Sequence, residues 1–258
     1  MVVRKTAWPE GTPCWVDLGV DDFGKAQSFY RGLFGWDVQV GPPETGGYAV
    51  AHLDGKPVAG IMPKMDPGQP TVWTTYLAVD DADATAAKIQ PAGGQVIAPP
   101  MDVLDLGRMA AGSDVEGAVF GLWQSGTHTG ADIVNVPGSL VWNEQMSRDF
   151  PGAKKFYAAV FGYEYADMGD NGFQYATIRV GDREVGGIGG LTADTPLDTP
   201  AQWTAYFGVA DTDETAALIA KLGGEVVGEP HDTPYGRMAN VADDQGARFA
   251  IIDLSATG

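Results

Sequence analysis

The sequence predicts an α+β protein made of four βαβββ-like units arranged as two tandem domains. Three observations carry that prediction. First, residues 11–36, GTPCWVDLGVDDFGKAQSFYRGLFGW, return at 138–163 as GSLVWNEQMSRDFPGAKKFYAAVFGY. Trp15, Asp22, Tyr30, Phe34 and Gly35 map onto Trp142, Asp149, Tyr157, Phe161 and Gly162 at a constant offset of 127 residues (142 − 15), the mark of an internal duplication. Second, each copy reads as a strand, a capped helix and a glycine stop. Third, turn-broken strand pieces follow each helix, and a further strand–helix pair opens at Trp73 and again at Trp203.

Residues 14–20 (CWVDLGV) form a strand pattern with Trp15, Asp17 and Gly19 on one face and Val16, Leu18 and Val20 on the other. The pair Asp21–Asp22 supplies a helix N-cap. Phe23, Ala26, Tyr30, Leu33 and Phe34 follow at helical spacing, and Gly35 stands where a left-handed residue closes a helix. The second copy repeats the design with Asp149, Phe150, Ala153, Tyr157, Val160, Phe161 and Gly162. The pieces VQV, YAVAHL and PVAGIM, broken at Asp54–Gly55, are meander signals. So are YEYA, FQYATIRV and EVGGIGGL, broken at Gly181–Asp182. DPGQP and DTPLDTP lead into WTTYLAVDDADATAAKI and WTAYFGVADTDETAALI. Their N-caps are Asp81 and Asp211, the latter with Glu214 in capping-box position, and Gly93–Gly94 and Gly223–Gly224 end the helices. The expected layout is an N-terminal arm at 1–10, a first domain at 11–126, a linker at 127–137 and a second domain at 138–256.

Composition narrows the function classes. The 258 residues carry a formal net charge of −18, with 44% hydrophobic and 10% aromatic residues. That charge repels phosphate backbones and anionic membranes, so neither nucleic acid nor membrane is an expected partner. Cys14 is the single cysteine and has no internal disulfide partner, which suits a reducing compartment. The opening MVVRKTAWPE lacks the apolar run of a signal peptide, and a cytoplasmic location is expected.

The ordering of these motifs resembles the vicinal oxygen chelate superfamily, the glyoxalase/bleomycin-resistance/dioxygenase group, in its two-domain actinobacterial type. The residues that carry the resemblance are WVDLGVDDFGKAQSFYRGLFGW with its echo, YLAVDDADATAAKI, GRMAAGSDVEGAVFGLW and GRMANVADDQGARFAII. The resemblance implies two glyoxalase-like domains whose paired units curl around a cavity. It also implies where metal-dependent members place their ligands, in the first strand of each unit and in the last strand of a unit. Trp15 and Trp142, Thr74 and Thr204, and Gly121 and Ala250 stand at those places here. Tryptophan, glycine and alanine do not ligate divalent ions and threonine does so feebly. No metal and no cofactor are therefore expected.

Strand alternation puts Asp17 beside Trp15 and Glu144 beside Trp142, with Thr74 and Tyr76, and Thr204 and Tyr206, repeating the pattern in the second units. Each domain thus offers flat apolar walls with a few polar groups, suited to a planar organic ligand. Arg108 and Arg237, at equivalent G-R-M positions, either clamp an anionic ligand or pair with neighbouring acids. Asp17, Glu144 and His231 are the candidate proton-transfer groups. Hydrogen bonding to backbone amides is the competing role for the two acids. For His231 the competing role is ordinary packing, which is also the reading for His52 and His128. Trp73 and Trp203 are expected in the core. The chain is expected to be a monomer or homodimer that binds an aromatic or polyketide-like small molecule, for resistance or secondary metabolism. A lyase, isomerase or cofactor-assisted oxygenase, glyoxalase- or hydroxylase-like, is the alternative. A scaffold with filled cavities is the third reading.

Overall fold

A computed structural model describes residues 2–169 and 172–254; Met1 of the expected arm and the expected domain end at 256 lie outside the described residues. In chain order the elements are β1 (Val2–Val3), β2 (Pro13–Val20), α1 (Phe23–Phe34), β3 (Asp37–Val40), β4 (Ala49–Leu53), β5 (Lys56–Pro63), β6 (Trp73–Ala78), α2 (Ala82–Ile89), β7 (Gln95–Val103), β8 (Gly107–Ser113) and β9 (Val119–Ser125). Then come β10 (Ile133–Val134), β11 (Leu140–Ser147), α3 (Phe150–Phe161), β12 (Glu164–Asp167), β13 (Tyr175–Val180), β14 (Arg183–Gly190), β15 (Gln202–Val209), α4 (Thr212–Lys221), β16 (Glu225–Thr233), β17 (Gly236–Ala242) and β18 (Arg248–Asp253). None of the helices among the described residues is long and apolar enough to cross a membrane.

All four α-helices among the described residues start on an aspartate. The carboxylates of Asp22, Asp81, Asp149 and Asp211 accept from the backbone amides of Lys25, Ala84, Gly152 and Glu214 at 2.8–3.0 Å, which satisfies an amide that the first helical turn leaves unpaired. Gly35 and Gly162 close α1 and α3 in left-handed conformation, at φ 71 and 70.

Two eight-stranded sheets result, with strand orders β3-β4-β5-β2-β6-β9-β8-β7 and β12-β13-β14-β11-β15-β18-β17-β16. The first strands of the two units in a domain, β2 with β6 and β11 with β15, pair antiparallel at the sheet centre. Units one and two therefore share one sheet, and units three and four the other. On the helical side the partnership is crossed. Phe29, Tyr30 and Trp36 of unit one pack in one core with Phe207, Ile219 and Phe249 of unit four. Ile89 and Phe120 of unit two pack with Phe156 and Tyr157 of unit three.

Two buried relays run through these cores. Trp73 donates to Tyr30 (3.1 Å), which donates to Asp243 (3.0 Å). Trp203 donates to Tyr157 (2.8 Å), which donates to Asp114 (3.1 Å). Asp114 and Asp243 open the two D-x-x-G-A turns, and each accepts two backbone amides of its own turn at 2.9 Å. Trp73 and Trp203 are core residues, as expected.

The opposite face of each sheet carries the residues alternating with that core, Trp15 and Asp17 on β2 and Trp142 and Glu144 on β11. The second sheet is curled enough for its edges to meet. Tyr235, in the β16–β17 turn, reaches Met168, just beyond β12, with Oη to Sδ at 3.6 Å. In a flat sheet those edge strands would stand roughly 30 Å apart.

Candidate ligand site: two Trp–Tyr–acid–Tyr quartets

Sheet register assembles the same four side chains twice. In the first domain Trp15 lies opposite Tyr76, and Asp17 opposite Thr74 on one side and Gly60 on the other. Tyr48 enters from the start of β4 and lays its hydroxyl over Gly60, where a Cβ would overlap it. Trp15 Nε1 donates to that hydroxyl at 2.7 Å. In the second domain Trp142 lies opposite Tyr206, and Glu144 opposite Thr204 and Gly187. Tyr175 lays its hydroxyl over Gly187, accepts from Trp142 Nε1 at 3.3 Å, and Tyr206 Oη donates to Glu144 Oε2 at 2.7 Å. Sequence reasoning identified three members of each quartet and missed Tyr48 and Tyr175. The signal was present: both the tyrosines and the glycines beneath them obey the 127-residue offset.

Burial sets the electrostatics. It pushes the Asp17 carboxyl up to about 7, against the pull of the Tyr76 and Tyr48 hydroxyls beside it. Asp17 Oδ1 has no hydrogen-bond partner among the described residues. Glu144 is raised for the same reason, again opposed by its two tyrosines, Tyr206 and Tyr175. Neither acid is in an ion pair among the described residues, so the tyrosine hydroxyls offset the cost of a buried negative charge only in part.

The surroundings of the two quartets differ. The first is sealed. Trp15 and Asp17 are 4% and 3% exposed, and Trp8 of the arm and Ala131 of the linker pack onto the same cluster as Trp123 and Tyr76. The arm and linker are tied together by the β1–β10 pairing, and the Ala131 amide donates to the Cys14 carbonyl at 2.8 Å. His128 stands edge-on to Trp15, with ring centroids 4.6 Å apart, and against Trp123 at 5.5 Å. Burial lowers its pKa to about 4, so the imidazole is neutral. The second quartet is partly open, with Tyr206 still buried. Trp142, Glu144, Met146 and Tyr175 are only half-buried, and the place of Trp123, opposite Met109, is taken by Ile252, opposite Met238. Met168, Phe173 and Tyr235 form an apolar rim, each about half exposed, with Phe173 stacked on Tyr175 at 5.8 Å. A surface depression of about 660 Å³ between the start of α3 and the Phe173–Tyr175 segment reaches the quartet only through Tyr175.

Of the remaining candidates, the two arginines and His231 lie away from the quartets and the two threonines border them. Arg108 forms ion pairs with Asp83 (2.6 Å) and Asp102 (2.7 Å), and Arg237 with Asp213 (2.6 Å) and Asp232 (3.1 Å). Both take the second course open to them, tying a hairpin to the helix beside it. Thr74 and Thr204 sit half-buried on the curled faces. His231 is exposed on strand β16, with Nδ1 3.3 Å from the Glu229 carbonyl.

A divalent metal does not fit these faces. Among the described residues no three His, Cys, Asp or Glu side chains converge. Each quartet has one carboxyl, and the Tyr76 ring covers the position where a Cβ at Gly121 would stand.

The family profile described as Glyoxalase/Bleomycin resistance protein/Dioxygenase superfamily matches residues 14–122 and 139–251. CFP32 of Mycobacterium tuberculosis, which carries a provisional glyoxylase name, is 43% identical over 258 residues, covering 96% of this chain and 97% of that one. The anthracycline biosynthesis protein DnrV of Streptomyces peucetius is 40% identical over 264 residues, covering 96% and 95%. Among solved structures, the Mn(II)-bound glyoxalase of Novosphingobium aromaticivorans superposes with a TM-score of 0.66 at 17% identity, covering 95% of this chain and 83% of that one. The 2,2',3-trihydroxybiphenyl 1,2-dioxygenase of Sphingomonas wittichii gives 0.65 at 14%, covering 95% and 90%. At those identities the structural likeness speaks for the fold. With two profile matches and full-length relatives at 40% identity and above, the chain belongs to the glyoxalase/bleomycin resistance/dioxygenase superfamily.

Proposed function

We infer that the protein binds a planar aromatic or polyketide-like small molecule, without a metal, in the curled face of its second domain. The observation that supports this most is the open quartet. Trp142 and Tyr175, partly exposed beside one carboxyl that a buried Tyr206 holds in place, form with the apolar rim a wall suited to flat rings and one polar anchor. The relatives named as anthracycline biosynthesis proteins point the same way, since that name denotes a fused-ring aromatic chemistry. Metal independence rests on the donor set, one carboxyl among aromatic and hydroxyl groups. Resistance by sequestration and a step of secondary metabolism are both served by such a site.

The test joins elemental analysis with binding. The purified protein should contain under roughly a tenth of an equivalent of Fe, Zn, Ni or Mn. A neutral probe, 2-(hydroxymethyl)anthraquinone, should quench its tryptophan fluorescence saturably and be recovered unchanged. A stoichiometric metal, or no quenching at any concentration, overturns the reading. Chemical conversion of the probe would favour the second reading, a lyase, isomerase or oxygenase. That reading draws on Glu144, whose raised pKa and Tyr206 hydrogen bond suit a general acid.

A further inference from the structure

We propose that Glu144 holds a proton and donates it in a hydrogen bond to a neutral carbonyl oxygen of the ligand, so that the second domain selects uncharged quinone-type aromatic compounds. This rests on the binding role inferred above and names the ligand class for that site. The geometry comes first. Glu144 sits at the centre of the sheet between Thr204 on β15 and Gly187 on β14. Its Oε2 already accepts from Tyr206, and the Tyr175 hydroxyl lies beside it over Gly187. The titratable groups facing it are therefore Tyr206 and Tyr175, with Tyr235 behind Tyr175; burial pushes the first two far up, so they stay un-ionised. No lysine or arginine pairs with Glu144 among the described residues. A carboxylate there would lack a counter-charge, whereas a carboxylic acid both accepts from Tyr206 and donates onward.

The first domain holds a self-filled version of the same arrangement. There the raised acid is Asp17 and the ring beside the tryptophan is the neutral imidazole of His128, edge-on to Trp15. The chain itself thus places an uncharged flat ring against this quartet. Among the described residues of the second domain no ring takes the place of His128 beside Trp142. An anionic ligand would meet an acid and aromatic faces, with no lysine or arginine paired to Glu144 among the described residues, which disfavours it beyond the long-range effect of the net charge.

The experiment is a calorimetric titration of 2-(hydroxymethyl)anthraquinone from about pH 5 to about pH 9, in salt high enough to screen the protein's field. A neutral probe does not respond to that field, so its pH profile reports the site. Wild-type affinity should fall by about tenfold or more as pH rises through the raised Glu144 pKa. Glu144→Gln, which keeps a donor, should bind at every pH with a flat profile. Glu144→Ala should bind weakly throughout. Anthraquinone-2-carboxylate should bind wild type at least about tenfold more weakly than the neutral probe. A flat wild-type profile, or a Glu144→Gln profile that falls like wild type, overturns the assignment while leaving the binding role standing. Absence of binding at every pH, with circular dichroism showing folded protein, defeats the binding role itself.

Discussion

The two domains carry the same quartet on the same sheet positions and differ in what lies against it. Around Trp15 the chain supplies its own cover: Trp8 from the arm, His128 and Ala131 from the linker, and Trp123 from β9. Around Trp142 the counterpart of Trp123 is Ile252, and the rim residues Met168, Phe173 and Tyr235 are half exposed. Duplication therefore preserved the hydrogen-bonding unit while one copy became a core and the other stayed a surface. The difference teaches that in this fold a polar quartet is neutral to use. The same groups are packed into a core in one domain and partly exposed in the other.

The sharpest way to break that comparison is truncation of the paired tryptophans. Trp15→Ala empties a sealed site and should cost about 3–5 kcal/mol in urea denaturation. Trp142→Ala, at a half-buried position, should cost roughly half as much and abolish probe binding. Equal losses of stability would mean that the second face is as closed as the first.

The glycines under the tyrosines come next. A Cβ at Gly60 or Gly187 overlaps the hydroxyl above it. Gly60→Ala should destabilise by about 1–3 kcal/mol, because the sealed site has no room to relax. Gly187→Ala should have a smaller effect on thermal stability, since half-exposed Tyr175 can swing outward. It should nevertheless weaken probe binding by losing the Trp142–Tyr175 bond.

How much was legible beforehand follows from the range of each interaction. Helix caps at Asp22, Asp81, Asp149 and Asp211 are local, and their residues alone predict them. The shared face of Trp15 and Asp17 follows from a period of two. Unit one pairs with unit two through the sheet but with unit four through the helices, and the latter partnership is set by contacts more than a hundred residues apart. Tyr30 to Asp243 is an example, and no local pattern encodes it. The closing of the first face was hidden for a different reason. The linker reads as polar, yet Ala131 and Ile133 within it are buried. Tyr48 was in reach through the repeat offset, but a lone tyrosine at the start of a meander strand carries no signal of its own.

Acid–base behaviour sharpens the comparison further. The Asp17 pKa is raised in the folded protein, so the folded state holds the proton more tightly, and stability falls as pH rises from the ordinary carboxylate range through about 7. The His128 pKa is lowered to about 4, so its contribution is lost in the opposite sense, as pH falls from the ordinary histidine range toward 4. Asp17→Asn should therefore gain on wild type by on the order of 3 kcal/mol between about pH 4 and pH 8. His128→Phe should remove the acid-side loss. Both are read from denaturation midpoints along a pH series. Glu144→Gln should show the Asp17 trend more weakly, because its site is open. The smallest effects belong to Arg108→Ala and Arg237→Ala. Their ion pairs lie at the surface, where such pairs contribute little. Neither should shift probe affinity, and a loss of binding in Arg237→Ala would return that residue to the site.

The most direct measurement of the central claim is the stoichiometry of probe binding in wild type, Trp15→Phe and Trp142→Ala by isothermal titration calorimetry. One open face and one sealed face predict a single site per chain, kept in Trp15→Phe and lost in Trp142→Ala. Two equivalent sites per chain, or a site lost with Trp15→Phe and kept with Trp142→Ala, would contradict it.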